Sequence, residues 1–199
     1  MKKENGVLTN VTEDDIRLLE SNPAEFWRGV TKIGLSAFKR NKKLTHIDIP
    51  NTVTSIGTCA FVECENLINV NIPDSVTEIG PGAFEYSGLR SVIIPGSVET
   101  IYSNAFNHCH LKNVVLSNGI KKIESYAFRY RGITSLTIPS SVQEIQGAAF
   151  EGCSLEELTV EEGASGIAYN AFDDCRYLST INIGTGELPM WAIPELPLD

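Results

Sequence analysis

The sequence predicts a parallel β-solenoid in which one short repeat of 22 or 23 residues is stacked seven times. The first observation behind this prediction is a motif that occurs seven times: an aliphatic residue, three variable residues and then Ala-Phe. The phenylalanines of its seven copies are Phe38, Phe61, Phe84, Phe106, Phe128, Phe150 and Phe172. The second is a segment with apolar residues at its first, fourth and sixth positions, which follows every copy. A fixed period of this length is typical of arrays whose units contact only their neighbours.

The residues before the first repeat predict two short helices. Thr12 precedes three acidic residues, the pattern of a helix N-cap and first turn, and an apolar face then extends to about residue 20. Asn22-Pro23 resembles a second cap with proline at the first helical position. We expect Phe26 and Trp27, on this second helical turn, to cover the open end of the first repeat.

Each repeat predicts two short strands. The last two apolar residues of the recurring segment alternate, which is the strand period, and a proline follows four of these segments, where the loss of a backbone donor ends the ladder. A second extended piece, Val-x2-Ile in most copies, precedes Ala-Phe. All variation in repeat length lies in the loop after the phenylalanine. The next aliphatic residue comes six positions after the phenylalanine in three copies and five positions after it in the other four copies.

The copy from Leu67 to Phe84 has the form Leu-x2-φ-x-φ-Pro-x2-Val-x2-Ile-Gly-x2-Ala-Phe, where φ is apolar. This motif closely resembles the BspA-like leucine-rich repeat, and the resemblance extends over roughly residues 30–184. It implies a right-handed leucine-rich-repeat solenoid, mainly parallel β with short helical turns, in which each kind of strand forms its own sheet. It also implies bacterial or protozoan surface proteins that adhere to host matrix proteins or other cells.

The chain therefore divides into three predicted parts: a helical N-terminal cap at 1–29, the seven-repeat solenoid at 30–184, and a C-terminal cap or tail at 185–199. The last part leaves the repeat pattern and contains three prolines, which disfavour a regular helix or strand. Two interpretations of it stay open. Trp191 covers the final repeat as Trp27 covers the first, or the segment is a tail or linker that follows a truncated array.

Composition narrows the classes of partner. A formal net charge of -9 and a pI near 4.9 argue against binding to duplex nucleic acid or to anionic lipid. No segment approaches the roughly 20 apolar residues of a membrane span, so we expect no membrane insertion. A protein or a glycan remains as the partner, and we expect a monomer.

Four of the five cysteines, Cys64, Cys109, Cys153 and Cys175, stand three residues after a repeat phenylalanine. We expect them to be small buried residues that fill the turn. Cys153 and Cys175 lie on adjacent repeats, about 4.8 Å apart, so a disulfide between them stays an alternative. Cys-x2-Cys spacing is absent, and we expect His108 and His110 to be solvent-facing residues that flank Cys109, without a third metal ligand.

Nothing in the sequence predicts catalysis. A nucleophile with a base, carboxylates paired in a cleft and a phosphate loop are all missing from the motifs, so we expect no catalytic, cofactor-binding or metal-binding residues and no cofactor.

Specificity for a partner must then lie where the copies differ. On the third to fifth copies, outward positions predict a basic, apolar and aromatic contact patch formed by Arg90, Ile93, Lys112, Val115, Tyr86, His108 and Tyr130.

The alternative is that β-branched residues simply suit a strand and that tyrosines only cover the turn. With the family resemblance, the patch predicts a non-catalytic protein-binding scaffold, an adhesin-type module at the cell surface or secreted. The first residues lack the apolar run of a signal peptide. The alternative function is therefore a cytoplasmic protein–protein interaction module or a non-classically secreted effector.

Overall fold

The computed structural model describes residues 1–130 and 132–184. The N-terminal region contains strands β1 (Lys2–Glu4) and β2 (Val7–Thr9) and helices α1 (Glu13–Ser21) and α2 (Pro23–Trp27). The repeats then add thirteen strands: β3 (Lys32–Ile33), β4 (His46–Asp48), β5 (Ser55–Ile56), β6 (Asn69–Asn71), β7 (Glu78–Ile79), β8 (Ser91–Ile94), β9 (Thr100–Ile101), β10 (Asn113–Leu116), β11 (Lys122–Ile123), β12 (Ser135–Ile138), β13 (Glu144–Ile145), β14 (Glu157–Val160) and β15 (Thr180–Ile183).

These strands form the two kinds of parallel sheet that the repeat predicts. We call each copy a rung and number the rungs one to seven by their phenylalanines. The two-residue strands make one continuous sheet, which the bridge from Ile145 to Ile167 extends to rung seven. The longer strands make the main sheet, whose hydrogen-bonded ladder runs β4-β6, β8-β10 and β12-β14-β15 and is interrupted between these groups. The solenoid fold predicted from the repeat is confirmed.

A column of phenylalanine rings forms the centre of the core. The rings of the seven rungs stack nearly parallel, with neighbouring centroids 4.7 to 5.3 Å apart. Phe26 of α2 continues the column, 6.3 Å from Phe38, and Trp27 packs edge-on against Phe26. Both rings are buried, so the expected covering of the first rung is confirmed.

The N-terminal region also holds a hairpin that the sequence analysis does not predict. Strands β1 and β2 pair antiparallel, and β2 pairs in parallel with β3, so the hairpin covers the edge of the two-residue sheet. Its turn is Asn5-Gly6, with φ of 51° and 79°. Asn-Gly with positive φ at both positions is the commonest signal of a tight hairpin turn, and it was present in the sequence. The cap is therefore not helical alone.

The turn after each strand pair is held by a third set of hydrogen bonds along the solenoid. The N–H of each rung's phenylalanine donates to the alanine carbonyl of the next rung, at 2.7 Å from Phe38 to Ala60 and 2.9 Å from Phe150 to Ala171. The residue two positions after phenylalanine makes a parallel set, and it has positive φ on every rung: Arg40, Glu63, Tyr86, His108, Tyr130, Gly152 and Asp174. The left-handed conformation thus belongs to the turn itself, whichever residue occupies it.

Candidate functional site

The first group of predicted site residues lies on the outer face of the main sheet, and we call it the sheet-face cluster: Arg90, Ile93, Lys112 and Val115. Ile93 of β8 is directly opposite Val115 of β10, and these side chains are 64% and 51% exposed. The preceding residues are also neighbours, since the Lys112 N–H donates to the Arg90 carbonyl at 2.8 Å. The structure therefore brings these four residues together.

The two cations of the sheet-face cluster are not neutralised within the part of the chain that the structure describes. The ion pairs found there involve other residues, so Arg90 and Lys112 are adjacent like charges on the surface of an acidic chain. Like charges on neighbouring strands destabilise a sheet. Exposed aliphatic side chains beside unpaired cations are a surface that a partner's carboxylates and apolar groups complement.

The edge of the cluster contains residues that the sequence analysis left out. Ile68 on rung two is 45% exposed, and its carbonyl accepts a hydrogen bond from the Arg90 N–H at 3.3 Å. A shallow cavity of about 460 Å³ opens where the ladder is interrupted between β6 and β8. Polar side chains of Asn69, Asn71 and Asn113 line it together with Ile93. The apolar position of Ile68 was visible in the sequence, but the interruption of the ladder was not.

The second group, which we call the ring ladder, consists of Tyr86, His108 and Tyr130 in the loops after phenylalanine. The Tyr86 and His108 rings stack at 4.6 Å between centroids and 5° between planes, and His108 lies 5.1 Å from Tyr130. His110 packs edge-on against Tyr130 at 5.9 Å. His108 is only partly accessible to solvent, because its ring is half-buried between two tyrosines, whereas His110 is exposed as expected.

The backbone at the ring ladder is strained for side chains of this size. Tyr86 and His108 have φ of 56° and 55°, and Tyr130 has φ of 142°. Left-handed backbone costs a residue with a side chain about 1 to 2 kcal/mol, and glycine tolerates it freely. Rung six has Gly152 at this position, so rings are not required by the turn.

A recess of about 500 Å³ lies over the ring ladder. It is lined by Glu63, Glu65, Tyr86, His108, His110 and Tyr130. The recess occurs where the loop after phenylalanine shortens from six residues on rung two to five on rung three, so Glu65 lies in the longer loop beside the first ring. The two glutamates were not singled out from the sequence, because their position depends on how loops of unequal length stack.

The two groups of predicted residues form neighbouring surfaces and not one continuous patch. Only three residues lie between Tyr86 and Arg90 along the chain, but no hydrogen bond, ion pair or ring contact joins the ring ladder to the sheet-face cluster within residues 1–130 and 132–184. Arg129, beside Tyr130, is engaged elsewhere, with Glu151 at 3.0 Å and over the Tyr126 ring. Arg131 and the C-terminal residues around Trp191 lie outside the described residues.

The four recurring cysteines are structural. All five are free, and the thiols of Cys64, Cys109, Cys153 and Cys175 donate to the phenylalanine carbonyl of an earlier rung at 3.0 to 3.3 Å. Burial raises the pKa of three of them to about 12 and that of Cys153 well above its usual value. Such thiols are poor nucleophiles and poor metal ligands. The expected burial is confirmed, and Cys153 and Cys175 are not bridged.

The described residues, 1–130 and 132–184, contain neither a metal-binding cluster nor a membrane-spanning helix. No group of three or more histidine, cysteine, aspartate or glutamate side chains there is arranged to hold a metal ion. No helix among those residues is long and apolar enough to cross a membrane.

Several solved structures resemble this chain. A leucine-rich cell surface protein from Faecalibacterium prausnitzii is 22% identical over 82% of this chain and 65% of its own, with a TM-score of 0.42. The pneumococcal vaccine antigen PcpA is 24% identical over 77% of this chain and 42% of its own, with a TM-score of 0.49. A leucine-rich repeat protein of Treponema pallidum is 21% identical over 83% of this chain and 72% of its own, with a TM-score of 0.45. The chain spans less than two thirds of the first two.

Sequence comparison identifies the repeat itself. None of the curated protein sequences matches the chain significantly. The model of the BspA type leucine-rich repeat region matches it with six copies, over residues 21–132 and 121–188. These residues include the strands β3 to β15, the phenylalanine column and every residue of the two surfaces described above. The chain belongs to the BspA type leucine-rich repeat family.

Proposed function

We propose that this chain is an adhesin-type module that binds a protein on the surface of a host or another cell through the outer sheet face of rungs three and four. The leucine-rich repeat fold points to a protein-binding scaffold, and such scaffolds are typically non-catalytic. The observation that carries the proposal is the sheet-face cluster, in which exposed Ile93 and Val115 pair beside two unpaired cations. Large apolar side chains next to arginine are characteristic of interface hot spots.

The rest of the outer sheet face supports this location by contrast. The positions equivalent to Ile93 and Val115 on rungs five and six are Thr137 and Thr159, and the sheet there is polar. Backbone geometry is the same on all these rungs, so strand propensity alone does not account for an apolar pair on two of them. Together with Ile68 on rung two, the exposed side chains of Ile93 and Val115 give apolar surface on three successive rungs, about 10 Å across their strand centres.

A second candidate is a protein-interaction module inside the cell. The observation that favours it is the set of free thiols, since cysteines remain reduced in cytosolic proteins and disulfides accumulate in exported ones. The binding surface would be the same in both cases, and only the partner would differ.

The experiment measures binding of the full chain to purified host matrix glycoproteins by surface plasmon resonance. The test variant changes Arg90, Ile93, Lys112 and Val115 to alanine. Its matched control changes the equivalent positions two rungs further along, Thr134, Thr137, Glu156 and Thr159. We expect at least one matrix protein to bind, with affinity lost in the test variant and kept in the control.

The outcomes separate the candidates. Binding that depends equally on both sets of residues would contradict the sheet-face site. Binding that disappears when the partner is deglycosylated would identify a glycan as the ligand. If no matrix protein binds, the adhesin role is wrong and the intracellular module takes its place.

A further inference from the structure

We infer that the recess over the ring ladder is a receptor for a cationic side chain, a lysine or arginine of the partner protein. This inference rests on the proposed function, because it names the chemistry of one part of the same binding surface. It goes beyond the sheet-face cluster, whose own charges select for acidic groups. The rings and the carboxylates line one recess where adjacent loops differ in length by one residue.

The rings occupy positions where the turn does not call for them. Each N–H at this position donates to a carbonyl of the next rung, from Tyr86 to Asn107 at 3.0 Å and from His108 to Arg129 at 3.0 Å. Gly152 makes the equivalent bond at 2.8 Å without a side chain. The turn therefore accepts any side chain or none, and it does not account for large rings on three successive rungs.

The ring ladder ends at Tyr86, and this end is available to a ligand. Tyr86 stacks on His108 with one face, and the residue at the equivalent position of rung two is Glu63, which has no ring. Tyr86 is also the most exposed member of the ladder, at 48%. An aromatic face with no ring against it attracts a cation placed within about 6 Å of the ring centre.

One of the two carboxylates of the recess is free to pair with that cation. Glu63 is occupied, because Arg40 donates to its two oxygens at 2.8 and 3.0 Å, and this hydrogen bonding lowers the pKa of Glu63. Glu65 is exposed and makes no hydrogen bond or ion pair with any described residue. A tyrosine face beside an unpaired carboxylate offers both interactions that a lysine or arginine makes.

The loop that carries Glu65 is fixed in place. Gly88 of rung three packs directly beneath it, and its N–H donates to the Cys64 carbonyl at 3.2 Å. A Cβ at Gly88 would lie 2.1 Å from the Glu65 carbonyl oxygen, so only glycine allows this approach. The longer loop of rung two is thereby held against the shorter loop of rung three.

A cation fits this recess better than a sugar. Sugar rings bind across broad, open aromatic faces, but the faces of His108 lie against Tyr86 and Tyr130, so the ladder offers its end face at Tyr86 and not a broad platform. A single ammonium or guanidinium group needs only the free end of the ladder and Glu65. The net charge of -9 also attracts cationic partners over longer distances.

The test is an NMR titration of the full chain with N-acetyl-lysine N-methylamide, followed through the tyrosine ring and Glu65 signals. N-acetyl-norleucine N-methylamide, which lacks the ammonium group, is the neutral probe, and N-acetylglucosamine is the sugar probe. We expect the lysine probe alone to shift Tyr86 and Glu65. Equal shifts from the norleucine probe, or shifts from the sugar but not from lysine, would overturn the inference.

Variants separate the contributions of the Glu65 carboxylate and the Tyr86 ring to binding of the lysine probe. Glu65→Gln is expected to weaken binding of the lysine probe about two- to fivefold, as is loss of the ring in Tyr86→Gly, which suits the left-handed backbone. Tyr86→Phe should bind as the wild type does. The controls Glu162→Gln and Tyr177→Ala change exposed residues on other rungs, and an effect as large as that of Glu65→Gln would show only nonspecific attraction to an acidic chain.

The inference and the proposed function fail separately. The sheet-face variant should bind the lysine probe normally, because no contact joins that cluster to the recess. If the lysine probe does not bind while a matrix protein still binds through the sheet-face cluster, the cation receptor is wrong and the proposed function stands. If the lysine probe binds but no matrix protein does, the adhesin role is wrong and the receptor stands.

Discussion

Replacing Phe106 with alanine tests the phenylalanine column at its centre. The Phe106 ring is 1% exposed, and its centroid lies 5.2 Å from that of Phe84 and 5.3 Å from that of Phe128. Removal of a buried phenylalanine side chain costs about 3 to 5 kcal/mol. Because ring contacts are lost on both sides, we expect a loss of about 4 to 5 kcal/mol, at the upper end of this range.

Urea unfolding followed by circular dichroism measures this loss. With a denaturant dependence of about 2.5 kcal/mol per molar urea, the unfolding midpoint should fall by about 1.6 to 2 M. Phe172→Ala is the matched control, since among the described residues this ring stacks only on Phe150, at 5.2 Å, and a smaller loss is expected. A Phe106→Ala midpoint within about 0.3 M of the wild type would refute the stacked core.

Two further predictions concern the cysteines and Gly88. Burial raises the pKa of Cys64, Cys109 and Cys175 from 9.0 to about 12, so the unfolded chain loses these protons at a lower pH than the folded chain does. These thiols should therefore leave the free energy of unfolding unchanged below about pH 9 and should lower it progressively between about pH 9 and about pH 12. Urea midpoints that stay constant between these pH values would contradict this prediction. Gly88→Ala should lower stability by about 1 to 3 kcal/mol in the same urea assay, because the new Cβ collides with the Glu65 carbonyl. Gly152→Asn is the control, since nothing lies within 4 Å of a Cβ at Gly152 and asparagine tolerates positive φ. If Gly152→Asn lowers stability as much as Gly88→Ala does, close packing at Gly88 is not the cause of the lost stability.

Much of the fold was predictable because the buried residues recur at fixed spacing. The phenylalanine column, the two kinds of strand and the exposure of Ile93 and Val115 all follow from placing the copies in register. Phe26 and Trp27 were also identifiable, since a solenoid needs its first rung covered. Periodicity reports which side chains are inside, and in this chain that determines the architecture.

The parts that were missed depend on contacts between rungs of unequal sequence. The left-handed backbone at Tyr86 and His108 is set by hydrogen bonds to the next rung, which no single copy displays. The position of Glu65 beside Tyr86 depends on a one-residue difference between adjacent loops. The hairpin at Asn5-Gly6 is a different case, because its turn signal is local and is visible in the sequence.

The central claim is that binding resides where the copies differ, on rungs three and four of the main sheet. Its most direct test compares two dissociation constants for the same protein partner. The first is measured with the variant in which Arg90, Ile93, Lys112 and Val115 are alanine, the second with the control variant two rungs away, and the first is divided by the second. Loss of four side chains at an interface centre predicts a ratio of about 100 or more. A ratio near one would contradict the claim, because the differences between rungs would then play no part in recognition.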